Sequence, residues 1–220
     1  MNKDFLIDYL SYILFRALGF LIRCLPLNFG LFLGRRLGDC LYYFDTRHKA
    51  IAYANLKVAL GNQLSPCQLN YLTHKFYRCL GQNLIEMFFI PLVNKEYLEK
   101  YISIEGLENI YEGFKKGKGV ILLGTHAGSW ELSNIISANI GFPFSLLVRD
   151  QDKFKRVSEL LNEYRRQKGC KLIQRQNQTR QLIELLKNNE SIGMTVDQGG
   201  RQGALVKFFA KDASMATGAL

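Results

Sequence analysis

Over 29–44, 47–60 and 65–89, apolar residues recur three or four positions apart, which places them on one face of a helix in each case. Ser65-Pro66 opens the last of these with a capping residue and a proline at the first helical position, Gly61 ends the one before it, and Pro91 stops the run. After Pro91 the texture changes. Short β-rich runs at 102–105, 120–124, 144–149, 171–173 and 192–197 alternate with helical patterns at 107–116, 131–140, 153–168 and 179–188. Such alternation predicts an α/β fold, with a mixed, largely parallel sheet covered by helices. The chain has no repeats, low-complexity tracts or linker, so a helical, membrane-facing portion over 1–100 is expected to continue directly into an α/β core over 101–220. Residues 214–220 look like the opening of a helix with no end signal, so the core is expected to be truncated at its C-terminus.

The membrane-facing reading comes from residues 5–22. This stretch is strongly apolar but is interrupted by Asp8 and Arg16, and no unbroken run reaches the roughly 18–20 residues of a spanning helix. On a helical wheel Asp8, Ser11, Arg16, Gly19 and Arg23 share one arc, while Leu6, Leu10, Ile13, Leu14, Ala17, Leu18 and Leu21 cover the rest. The expectation is an amphipathic helix lying in a membrane interface, spanning only marginally. A charge inside the apolar stretch, and no small-x-small site before Pro26, argue against a cleaved signal peptide.

Charge and cysteine content narrow the picture further. The formal charge is +10, and residues 149–180 hold ten Lys/Arg against four Asp/Glu, so the excess is concentrated in one stretch. A local basic field suits an anionic partner: a lipid head group, an acidic carrier protein or nucleic acid. Nucleic acid is disfavoured because the basic residues are not interleaved with stacking aromatics. The five cysteines are odd in number and form no C-x-x-C pair, which argues against a disulfide framework and a zinc site. None of the three histidines has ligand-like company, so neither a metal nor a cofactor is expected.

The most informative stretch is Gly119-Val-Ile-Leu-Leu-Gly-Thr-His-Ala-Gly-Ser-Trp-Glu131, an apolar strand, a small-residue turn and the start of a helix. On a continuous helix, positions five apart diverge by about 140°, so His126 and Glu131 share a face only if a turn separates them. Ala127, Gly128 and Ser129 permit one. A carboxylate on one ring nitrogen would fix the tautomer and leave the other nitrogen to accept a proton from a hydroxyl. Taken alone, the pair also fits a histidine that caps a strand end and a glutamate favoured by the helix dipole. G-x-S-x-G, G-x-x-x-x-G-K-[ST], H-E-x-x-H and G-x-G-x-x-G motifs are missing, which removes hydrolase, NTPase, zincin and dinucleotide readings.

His126 and Glu131 after an apolar strand, with Asn55-Leu56 in a basic helix, Val148-Arg149 at a strand end and Val196-Asp-Gln-Gly-Gly-Arg201 before Val206-Lys-Phe-Phe209, form an ordered set. The set resembles the bacterial lipid A biosynthesis (lauroyl/myristoyl) acyltransferases, within the lysophospholipid and glycerolipid acyltransferase superfamily. The resemblance implies that His126 and Glu131 are a catalytic dyad, and that Arg149, Asp197, Gln198, Gly199 and Arg201 bind the acceptor's polar head. It further implies an acyl carrier protein or acyl-CoA donor, a lipid A precursor as acceptor, and attachment to the cytoplasmic face of the inner membrane. Phe142, Phe144, Phe208 and Phe209 are candidates to line an acyl channel. Two alternatives stay open: another glycolipid or glycerophospholipid acceptor, and a catalytically silent membrane-binding fragment.

Overall fold

The computed structural model describes residues 3–148, 152–174 and 178–215, which fall into two compact units. The first comprises residues 1–24, 88–124 and 130–195; the second comprises 25–87, 125–129 and 196–220.

The first unit is built on four parallel strands: β1 (Val120–Gly124), β2 (Phe144–Val148), β3 (Cys170–Gln174) and β4 (Ser191–Thr195), in the order β1-β4-β2-β3. Parallel strands need crossover connections, and here helices supply them: α7 (Trp130–Ala138), α8 (Lys155–Gln167) and α9 (Gln178–Lys187) follow β1, β2 and β3 in turn. Phe144, Leu146, Val148, Ile173 and Ile192 are buried in this sheet, as an apolar run covered on both faces requires. Gly193 lies so close to the Phe144 ring that a side chain there would collide with it. The predicted parallel sheet and its helices are thus present. Residues 102–105 form no strand; they are the extended exit from a short helix, α5 (Lys95–Tyr101), capped by the Asn94 side chain, and they lead to α6 (Leu107–Lys115).

Helix α1 (Lys3–Arg23) packs against α8, with Asp8 and Gly19 of its polar arc buried and Arg16 exposed. Asp8 is buried, its Oδ1 accepting the backbone N–H of Arg156 at 3.1 Å and its Oδ2 the Arg156 guanidinium at 2.6 Å. The Arg156 guanidinium also stacks 4.5 Å from the centre of the Phe5 ring. Leu10, Leu14, Phe20 and Leu21 face outward, each more than half exposed. Despite the interruptions at Asp8 and Arg16, the helix is long and apolar enough to cross a membrane by length and composition, with mean hydropathy 1.7. Two charges in such a stretch count less against it when one of them is paired inside the protein.

The second unit holds α2 (Leu27–Phe44), α3 (Thr46–Leu60) and most of α4 (Pro66–Phe89). Asp45 caps α3 by accepting from the His48 backbone, and Ser65 and Gln68 cap α4 reciprocally, the Ser65 N–H donating to Gln68 Oε1 at 2.8 Å. Gly34 and Gly38 on α2 meet Gly81 on α4 so closely that a β-carbon at any of them would strike the opposing backbone. Asp39 bridges the same two helices, accepting from His74 Nε2 at 2.7 Å and from Arg78 Nε and Nη2 at 2.5 and 3.2 Å.

Residues 199–215, the last two of which were expected to open a helix, are instead an antiparallel hairpin, β5 (Gly199–Phe208) and β6 (Lys211–Met215). Its turn places Phe209 and Ala210 at φ +50° and +58°. Hairpin turns with both central residues at positive φ usually signal themselves by Asn-Gly or Asp-Gly. Phe-Ala gives no such sign, so the hairpin was hidden. The remainder of the predicted C-terminal helix lies outside the described residues.

Candidate active site

β1 and β4 are parallel neighbours with Gly124 opposite Thr195. Ligand sites in parallel sheets gather beyond the carboxyl ends of such strands. Two residues past each of these paired positions stand His126 and Asp197, and the structure joins them. Asp197 Oδ1 lies 2.7 Å from the ring nitrogen Nδ1, while Oδ2 accepts the backbone N–H of His126 at 2.7 Å. One carboxylate therefore holds both the ring and the chain that carries it. With Nδ1–H donating to Asp197, Nε2 keeps its lone pair and is the ring's basic nitrogen. The Gln198 amide nitrogen is 3.5 Å from Nε2, the outer limit of a hydrogen bond.

His126 and Asp197 side chains are 33% and 31% exposed, enough for a substrate to reach the ring. Burial pushes the Asp197 carboxyl up, but hydrogen bonds from the His126 ring and backbone outweigh it and hold the group below its ordinary value. The lowered carboxyl favours a negative charge on Asp197 facing the His126 ring.

The turn that carries His126 is pinned from α4. Buried Asn83 donates its amide Nδ2 to the Gly128 carbonyl at 2.5 Å, and Gly128 takes φ +61°. Three residues on from Asn83, Glu86 stands against the Ser129 hydroxyl; desolvation raises its carboxyl above the usual range and Ser129 opposes that shift.

Glu131 sits in the first turn of α7, where the helix dipole favours a carboxylate. Arg165 of α8 grips it in a two-pronged fork, Nε to Oε2 at 3.0 Å and Nη2 to Oε1 at 2.6 Å, and Nη1 of the same guanidinium reaches Asn162 Oδ1 at 2.6 Å. Both partners are largely buried. Between α1 and α8 lies a groove lined by Phe15, Phe154, Val157 and Leu161 together with Ser11, Ser158 and Arg165.

Of the residues singled out in sequence, the structure thus unites His126, Asp197 and Gln198, and shows Glu131 bound to Arg165. Gly199 is the first residue of β5. Arg149 and the side chain of Arg201 lie outside the described residues. The carboxylate on Nδ1 is Asp197, which the resemblance had assigned only to the acceptor. Arg165 went unremarked because nothing local separates it from the other cations of 149–180. Phe144 is buried within β2 and Phe142 stacks on Phe114 with ring centres 3.7 Å apart. Cys170, its thiol pushed up to about 12 by burial, is no nucleophile.

The sequence matches the family model described as bacterial lipid A biosynthesis acyltransferase over residues 1–220. The chain belongs to that family. Family relatives include the lipid A biosynthesis palmitoleoyltransferase of Escherichia coli (strain K12), 26% identical over 181 residues. A second, the lipid A biosynthesis acyltransferase of Shigella flexneri, is also 26% identical over 181 residues. In both cases the alignment takes in 81% of this chain and 58% of the relative, so the chain spans little more than half the length of the curated family members it matches.

Proposed function

We propose that this protein transfers a fatty acyl group from a thioester, carried on acyl carrier protein or coenzyme A, to a hydroxyl of a lipid A precursor. The observation that carries the reading is the 2.7 Å contact between Asp197 and His126 Nδ1, which leaves Nε2 as a base for an alcohol. His126 Nε2 takes the hydroxyl proton as the oxygen attacks the thioester carbonyl. The tetrahedral intermediate then collapses, the C–S bond breaks, and the imidazolium returns its proton to the departing sulfur, giving an ester and a free thiol. Backbone amides at 128–130 offer hydrogen bonds to the oxyanion. Glu131, its orientation fixed by Arg165, completes the catalytic pair read from the sequence. Arg149, Gln198, Gly199 and Arg201 bind the acceptor's polar head, and Asp197 orients the base.

The outward apolar side of α1 supports attachment to the cytoplasmic face of the inner membrane. The groove between α1 and α8 supports an acyl chain lying beside that helix. The test is mass spectrometry of lipid A from cells with and without the gene, together with transfer assays on His126→Ala. One acyl chain fewer in the lipid, and a loss of about 10²–10⁴-fold in rate for the variant, are expected. An unchanged lipid profile, or undiminished transfer by a folded His126→Ala protein, would overturn the reading.

A further inference from the structure

The histidine turn is held by a helix that contributes nothing to the motif itself. Asn83 is buried, and its side-chain amide makes a 2.5 Å hydrogen bond to the carbonyl of Gly128, the one residue of that turn in the left-handed region. The short peptide 125–129 otherwise belongs to a loop between β1 and α7, with Gly, Ala and Ser giving it little intrinsic stiffness. What these residues leave unset by themselves is the path of 125–129. Two fasteners act on that path from the same compact unit: Asp197 on the His126 backbone and ring, and Asn83 on the Gly128 carbonyl.

Resting on the catalytic reading of His126, we infer that Asn83 is a positioning residue: by holding the Gly128 carbonyl it fixes the turn that presents the His126 ring to Asp197. Glu86, against the Ser129 hydroxyl on the next residue, braces the same turn from the same face of α4, since positions three apart lie on one side of a helix. Asn83 touches no reacting atom. Its effect runs through the orientation of His126, so its loss lowers turnover and leaves substrate affinity in place.

The room around the turn makes the inference separable from simple packing. A β-carbon on Gly128 would meet no atom within 4 Å, so Gly128→Ala perturbs the turn only through its φ of +61°. It attacks the same backbone from the opposite side without making a cavity. If both residues serve one geometry, the double variant costs no more than the worse single one.

The experiment uses the full chain with its ring nitrogens labelled with nitrogen-15, where three histidines give three resolvable sets of signals and His126→Ala assigns the relevant one. Asn83→Asp, the same shape with the donor removed, Asn83→Ala and Gly128→Ala are each expected to lose the signature of Nδ1–H bound to Asp197. Each is also expected to lower kcat by about 10- to 100-fold, with KM within about twofold. The double variant Asn83→Ala/Gly128→Ala should match the more damaged single variant. Circular dichroism verifies folding, and Gly128→Ala carries the test if an Asn83 variant does not fold. Unchanged His126 ring signals in folded Asn83→Asp would overturn the inference, as would rate losses that multiply in the double variant. Because the ring signals are read without substrate, they report on Asn83 even if His126→Ala shows that the catalytic reading itself is wrong.

Discussion

Asp197 decides what His126 can do. An imidazole a third exposed and hydrogen-bonded only to water would exchange tautomers freely, whereas one carboxylate on both Nδ1 and the backbone amide leaves one basic nitrogen. Replacing Asp197 with Asn preserves shape but removes the anion that offsets the imidazolium, and a loss of about 10³–10⁴-fold in kcat is expected from steady-state kinetics. Arg165 makes a different prediction, about stability. It and Glu131 are buried together, so Arg165→Ala strands a carboxylate and should cost about 3–5 kcal/mol in denaturant unfolding, with Arg165→Lys between the variant and the parent because it keeps charge but not the fork. At this scale the spacing of His126 and Glu131 was visible as a string, and the family resemblance added Asp197 and Gln198. It did not reveal who pairs with whom. His126 and Asp197 are 71 positions apart and become neighbours only through the β1–β4 pairing, which no local pattern encodes.

Among the elements, the apolar strand runs were the most legible: 120–124 and 144–149 are bounded by glycine or proline, and both are strands within a residue, though only the second is buried. The missed elements are those whose sequence contradicts their structure. The β5–β6 hairpin begins in glycines and turns on Phe209-Ala210, and the short α5 is hidden between Pro91 and Ile102. The α2–α4 pair shows how an element contact titrates. Arg78, overcoming the desolvation of Asp39 and helped by His74, holds that carboxyl at about 2, below its ordinary 3.8. A depressed carboxylate contributes stability that is complete above about pH 4 and fades as pH falls through about 2. Thermal unfolding between pH 5 and 2 should therefore fall more steeply for the parent than for Asp39→Asn, whose curve lacks this contribution.

For the whole molecule, the charge excess is smaller in effect than its count suggests. Of the cations in the basic stretch, Arg156, Arg165, Arg166, Lys171 and Arg180 are each ion-paired with a carboxylate of the same chain. Lys153 and Lys155 are exposed at the start of α8 and remain available to an anionic donor or membrane. Lys153→Glu/Lys155→Glu should raise the donor KM several-fold at low salt, with the difference from the parent shrinking as ionic strength approaches about 1 M, where the Debye length is about 3 Å. Titration of the rate against salt checks this, and equal sensitivity in both proteins would show that the docking charge lies elsewhere.

Asp8 gives α1 a second duty. Its carboxylate satisfies a free amide at the start of α8, and the far end of α8 bears Arg165. The leading helix is therefore part of the scaffold for Glu131, whatever its outward apolar side meets. Trimming it away to ease purification would leave Glu131 less firmly seated, so a poorly behaved preparation of that kind would report a loosened scaffold rather than a missing membrane.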